Sequence, residues 1–423
     1  MSAVYYYGQD GEIVHDEIKQ LFELDEKELR WSSRLNASVF SIVGFVFNKD
    51  NILVVFPKHY FSTVELERYN CNHVELNSDI RLLFEVVQKY LQNTNSSAPA
   101  RKYMGAQDGY ESEYPFMPFF RVYDFYQKYG LYTEKNEQIV SGGNGKVLWK
   151  TTLDKAQKII SKNNLIFSPL YVKKKNLKSV FITDCMAFII DYTVELFSCF
   201  LCMKKTGHQC RKFDFLNNID YVISQLRQYE NKTFKDMHKR LIASMIDFFE
   251  QYKYQTKAAG GNIHIRIRYF DMVWQDMVEK YLNTHFAGMH PTNNGVIFDP
   301  TQQISPVHFN KTTYRDVDDS PHDFSIELDH MAYDNDKLYI FDSKYYYEVS
   351  SLNYKQFSYN EILRYHYPQL MEINSVLILP GRENCKLHFS LGVDYIGSRR
   401  IGTRIIEQYL EPKHLMMSYL DNA

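Results

Sequence analysis

Asp329, Asp342 and Lys344 are the residues of this 423-residue chain whose types and spacing suit hydrolysis of a phosphodiester. They lie in IELDHMAYDNDKLYIFDSKYY, residues 326–346. Two carboxylates at neighbouring strand ends make a hard, anionic oxygen site suited to Mg²⁺, which binds one or two carboxylates and keeps waters for substrate and nucleophile. Such an ion polarises a phosphoryl oxygen and lowers the pKa of a bound water, and a second ion stabilises the leaving oxygen of an in-line displacement. A compact lysine cation beside the acids is suited to hold the scissile phosphate or orient the attacking water.

The local pattern predicts how these groups are positioned. Apolar alternation through Ile326 and Leu328 predicts one strand, Asp334-Asn335-Asp336 a turn, and Leu338 to Tyr346 a second strand rich in aromatics. Residues two apart on a strand share a face, so Asp342 and Lys344 point the same way and Ser343 points to the other. Asp329 on the partner strand reaches the same spot.

These residues resemble the core of the PD-(D/E)XK nuclease superfamily, in which an Asp ends one strand and an acid-x-Lys triplet lies on the next. Here the triplet is Asp342-Ser343-Lys344, and Leu328 stands where Pro often precedes the first Asp. The flanks extend the resemblance. Tyr354-Lys355-Gln356-Phe357-Ser358-Tyr359 is similar to the K-Q-x-x-Y helix that follows the active strand in LlaJI-type restriction endonucleases, relatives of the cleavage subunit McrC. The run from Tyr269 to Val278 resembles the helix that opens their nuclease domain, with Gln275 where Glu often follows the Trp. The helical acid is then Asp276 or Glu279. Glu279 is preferred, because it shares a helix face with Gln275 four residues away. Gly145-Lys146-Val147-Leu148-Trp149-Lys150-Thr151-Thr152, Val43-Gly44-Phe45-Val46 and Phe56-Pro57-Lys58 are similar to further elements of the same families.

The resemblance implies a Mg²⁺-dependent endonuclease, Mn²⁺ being an alternative ion, that cuts double-stranded DNA as the cleavage subunit of a restriction or phage-defence system. Asp329, Asp342 and Glu279 are expected to ligate metal, Lys344 to contact phosphate and water, and Gln356 to orient Lys344 or the DNA backbone. The chain has no G-x-x-x-x-G-K-[ST] loop to hold a nucleotide phosphate. The resemblance implies a separate partner, a GTP-hydrolysing AAA+ ring similar to McrB. Homodimerisation through the nuclease domain is the expected route to a double-strand cut. The alternatives are a stand-alone type II-like or transposition-type endonuclease, and a catalytically degenerate DNA-binding adaptor.

Length and composition set the frame. At ~100 to 200 residues per domain the chain holds two or three domains. Its 45% hydrophobic and 24% charged residues are ordinary globular usage. The expected fold is α+β and multidomain: an N-terminal α/β region over 1–95 that binds DNA or a partner, a mainly helical, winged-helix-like or adaptor region over 115–254, and a PD-(D/E)XK domain over 255–423 with a mixed central sheet flanked by helices. Strands are expected at Ser38 to Phe47, Asn51 to Tyr60, Ser375 to Leu379 and Lys386 to Val393, and a helix at Ile80 to Leu91. A net charge of −2 is no nucleic-acid signature. Local patches remain, at Lys173, Lys174, Lys175 and Lys178, and at Arg399, Arg400 and Arg404, although charge runs are usually solvated faces. The 34 Tyr and 29 Phe are read mainly as core filler.

The N-terminus lacks a basic region followed by an apolar core, so a cytoplasmic protein is expected. The most apolar run, Phe181 to Met203, is interrupted by Asp184, Asp191 and Glu195 and suits a buried helix, not a membrane span. Six cysteines in such a chain do not imply a disulfide framework. Cys199, Cys202, His208 and Cys210 have zinc-like spacing, but Cys199 and Cys202 close an apolar helix, where free Cys is a small hydrophobe, so zinc is not expected.

Overall fold

The structure is a computed structural model that describes residues 4–421 except 49–50, 73, 97–109, 113, 143, 162–163, 179, 199–200, 202, 211, 257–262, 293–294, 321, 323, 371 and 397–401. It is a mixed α+β chain that groups into two compact units. Met1–Glu113 and Ala259–Ala423 form one, and Tyr114–Ala258 the other.

Two sheets organise the first unit. The smaller has five strands in the order Val4–Gln9, Asn51–Phe56, Val43–Asn48, Ile263–Ile267, Tyr110–Ser112. Ile263–Ile267 pairs antiparallel with Val43–Asn48 on one side and with Tyr110–Ser112 on the other. Residues 1–95 and 255–423, read as separate regions from the sequence, thus share a sheet. Helix Asn77–Ser96 covers the segment expected to be helical from Ile80 to Leu91.

The larger sheet has six strands in the order Asn310–Tyr314, Ile326–Asp334, Lys337–Ser343, Glu372–Pro380, Arg404–Leu410, Cys385–Ser390. The first three are antiparallel, the third, fourth and fifth run parallel, and the last is antiparallel again. The central strand, Glu372–Pro380, is apolar without alternation over Val376, Leu377, Ile378 and Leu379, all fully buried. That is the pattern of strands covered on both faces. Asn335 turns the hairpin with a φ of 52°, a left-handed conformation that Asn tolerates.

One face of this sheet packs Leu328, Leu338 and Ile340 against Tyr359 and Leu363 of helix Tyr354–His366. The other face presents Tyr339 and Phe341 to Phe286 at the end of helix Phe270–His285. The Trp274 indole of that helix is fully buried and donates to the Ile378 carbonyl at 3.4 Å.

The second unit holds helices Phe116–Tyr129, Phe181–Leu196, Ile219–Lys232 and Asp236–Gln251. It also carries strand pairs that a mainly helical reading does not anticipate. Glu134–Ser141 pairs with Tyr171–Lys178, and Gln157–Ser161 with Asn164–Ser168. No helix among the described residues is long and apolar enough to cross a membrane. Arg399 and Arg400 lie outside the described residues, as do the side chains of Lys174, Lys175 and Lys178.

Candidate active site

The hairpin ladder between Ile326–Asp334 and Lys337–Ser343 ends at the His330–Phe341 pair. One step further the register would set Asp329 opposite Asp342, and there the strands separate. The Asp329 carboxylate takes over from the lost ladder, accepting the Ser343 backbone N–H at 3.2 Å. The second strand stays tied to the central one, because Ser343 pairs with Ile378 and the Lys344 N–H donates to the Ile378 carbonyl at 2.8 Å. The two acids therefore sit in a split between strands, with their backbones fixed from opposite sides.

Asp342 is 4% exposed and Asp329 half-buried. Lys344 Nζ lies 2.8 Å from Asp342 Oδ2, although not along a hydrogen-bonding direction, so the contact is ionic and leaves that oxygen without a hydrogen-bond donor. The predicted face-sharing of Asp342 and Lys344 is what brings them together. Burial, then a hydrogen bond and repulsion from Asp342, push the Asp329 carboxyl up to about 7. Lys344 and Lys355 pull the other way without cancelling this.

Three side chains the sequence reading did not single out complete the site. Lys355, in the first turn of helix Tyr354–His366, acts on both carboxylates; although burial opposes it, Tyr359, Asp342 and Asp329 raise the lysine's pKa. Its place beside Gln356 in the K-Q pair was the available signal. Ser343 and His330 are joined on the opposite face, Ser343 Oγ lying 2.7 Å from His330 Nε2. His330 is fully buried, and burial lowers its pKa to about 3, so the imidazole is neutral.

Gln356 is fully buried and its Nε2 donates to the Ile340 carbonyl at 2.7 Å, two residues before Asp342. Its own N–H is capped by Asn353 Oδ1 at 3.0 Å, which starts the helix there. One turn on, Asn360 donates to Ser375 Oγ at 2.7 Å. The helix is thus pinned to the sheet by amides, and Gln356 holds strand Lys337–Ser343 at Ile340.

Asp276 accepts a hydrogen bond from the Tyr419 hydroxyl. Glu279 is half-buried on the same helix, which covers the face opposite Asp342. Past the site, Tyr345 turns towards Phe270, Trp274 and the N-terminal Pro57-Lys58 pair. Its hydroxyl accepts the Lys58 N–H at 2.9 Å, and Lys58 Nζ lies 3.8 Å from the centre of its ring while pairing with the Asp10 carboxylate.

The geometry defines a pair of neighbouring acids with an adjacent lysine at a split in a mixed sheet. The LlaJI restriction endonuclease family model matches residues 42–360, and the chain belongs to that family. The match spans the Pro57-Lys58 pair, both acids, Lys344 and Gln356. No curated protein matches the chain significantly. Among solved structures it is similar to a chain of the tetradecameric assembly of Thermococcus gammatolerans McrB AAA+ hexamers with bound McrC, at 12% identity and a TM-score of 0.39, covering 100% of this chain and 99% of that one.

Proposed function

We propose that the chain is a Mg²⁺-dependent DNA endonuclease with a PD-(D/E)XK core, the cleavage subunit of a restriction system that works with an McrB-like GTP-hydrolysing AAA+ partner. The observation that carries this reading is the meeting of Asp329, Asp342 and Lys344 in the strand split, within a chain of a restriction endonuclease family. The donor set fits a hard divalent cation: two carboxylates in contact, one oxygen of Asp342 without a hydrogen-bond donor, and an Asp329 carboxyl that burial and then its neighbour push up to about 7. Asp329 and Asp342 would hold the ion, with Glu279 as a supporting acid. When bound, it would polarise the scissile phosphoryl group and acidify a water.

The residues of the chain supply the rest. Lys344 places a fixed ammonium beside Asp342, where it attracts a phosphate oxygen and orients the incoming water. Lys355 adds a second cation on the same side, offsetting the charge of a phosphodiester next to two acids. Gln356 acts through the strand, since its amide fixes the Ile340 carbonyl and so the height of Asp342 in the split. The partner is inferred from the family resemblance and from the missing phosphate-binding loop. Two copies of the chain would supply the two cuts of a duplex.

Plasmid cleavage by the purified wild type and Asp342→Ala tests the reading, with Mg²⁺ or Mn²⁺ against EDTA and with or without an McrB-like AAA+ GTPase and its nucleotide. The expected result is metal-dependent cutting that falls on the order of a thousandfold in the variant, the scale lost when a transition-state contact is removed. Cutting without any NTPase would favour a stand-alone enzyme. No cutting under any condition, with DNA binding kept, would overturn the nuclease and leave an adaptor.

A further inference from the structure

The second unit contains a set of metal-ligand side chains that the nuclease reading does not use. Asp184 stands in the first turn of helix Phe181–Leu196 and is 3% exposed. The chain beyond the helix has no regular structure over residues 203–210 and runs back along it. Thr206 donates to Asp191 from both its N–H, at 2.6 Å, and its hydroxyl, at 2.8 Å. Two residues on, His208 Nε2 lies 2.8 Å from Asp184 Oδ1, and Cys210 Sγ donates to the Asp184 carbonyl at 3.5 Å. A carboxylate oxygen of Asp184, a ring nitrogen of His208 and the sulfur of Cys210 all lie within 4.8 Å of one another.

We propose that Asp184, His208 and Cys210 form a Zn²⁺ site that staples the 203–210 segment to the helix. Oxygen, nitrogen and sulfur donors at about 2.0–2.3 Å from one ion are a set that Zn²⁺ takes. In a tetrahedron such ligands stand roughly 3.3–3.8 Å apart, so closing from 4.8 Å takes small side-chain rotations. The fourth position falls to water. On binding, the Cys210 thiol loses its proton to solvent and the imidazole coordinates as the neutral base.

The set differs from the one suggested by sequence spacing. His208 and Cys210 are in it, Asp184 enters from the start of the helix, and Cys199 and Cys202 lie outside the described residues. A long segment without helix or strand inside a compact unit calls for anchors. A metal tie adds one whose free energy is coupled to folding.

The test is made on the full chain carrying Asp342→Ala, so that the carboxylate pair of the nuclease does not contribute metal. Elemental analysis after tag removal is expected to give one zinc per chain, and Co²⁺ substitution a thiolate-to-cobalt charge-transfer band. Asp184→Asn, His208→Ala and Cys210→Ser should each weaken zinc binding at least about tenfold, the lower end of the losses seen around metal sites. Cys210→Ser should also abolish the cobalt band while circular dichroism shows the fold retained. The proposal is overturned if the chain binds no zinc even when supplied with it. It is equally overturned if Cys210→Ser and His208→Ala keep their zinc, or if only Cys199→Ser and Cys202→Ser release it.

Discussion

Ser343 is held from both sides of the strand: its N–H donates to the Asp329 carboxylate at 3.2 Å, and its hydroxyl lies 2.7 Å from the buried ring of His330. His330 follows Asp329 in the chain, and Ser343 follows Asp342. One small residue thereby fixes the spacing of the two acids.

The His330–Ser343 contact is expected to couple stability and chemistry. In a cycle of His330→Ala, Ser343→Ala and the double variant, denaturant unfolding should give a coupling energy of about 0.5–1.5 kcal/mol, the net worth of a buried hydrogen bond. Turnover should fall further in each single variant than Mg²⁺ affinity does. Additive unfolding energies would show that the two side chains act independently.

The acid pair makes metal-free stability depend on pH. An acid whose pKa is higher folded than unfolded contributes stability that is complete below the unfolded value and is lost as pH rises through the folded one. For Asp329, raised to about 7 by burial and Asp342, the loss runs from about pH 4 to 7 and is on the order of 4 kcal/mol at about 1.4 kcal/mol per unit. Thermal unfolding in EDTA should show this slope, Mg²⁺ should reduce it, and Asp329→Asn should flatten it. A slope of unchanged size in Asp329→Asn would assign it to other groups.

Lys58 and Asp10 form a buried pair against the Tyr345 ring. Burial pushes the lysine down and the aspartate up in pKa, so neither tolerates losing the other. Lys58→Met is expected to cost about 3–5 kcal/mol, the penalty of stranding a buried charge, and Lys58→Met with Asp10→Asn to recover most of it. Equal loss in the single and double variants, measured by chemical denaturation, would refute the pairing.

The sequence made the hairpin and its chemical face legible for one reason. Alternation through Leu338, Ile340, Asp342 and Lys344 survives because helix Tyr354–His366 covers only part of that face, and the charged end lies beyond it. The partners on the opposite face were not legible, since a buried His330 amid apolar residues looks like filler until its bond to Ser343 is seen. Arg404–Leu410 escaped for a different reason: Ile405, Ile406, Tyr409 and Leu410 are buried in a strand with no alternation to mark it. The Gln157–Ser161 and Asn164–Ser168 hairpin is largely exposed, so no core imposes a pattern on it. The role of Lys58 needed the long-range contact with Tyr345, which no local window contains.

Tyr110–Ser112 and Ile263–Ile267 have one further implication. These strands flank Tyr114–Ala258 in sequence and are hydrogen-bonded to each other, Ser112 opposite Ile265 and Tyr110 opposite Ile267. The unit between them is therefore a cassette plugged into a host whose two cut ends already touch, about 5 Å apart at strand spacing. A fragment beginning at residue 255 would strand Ile263–Ile267 without its neighbours and Tyr345 without Lys58. A chain that joins Ser112 to Ile263 through a short turn is expected to keep both the strand pairing and the Lys58–Tyr345 hydrogen bond.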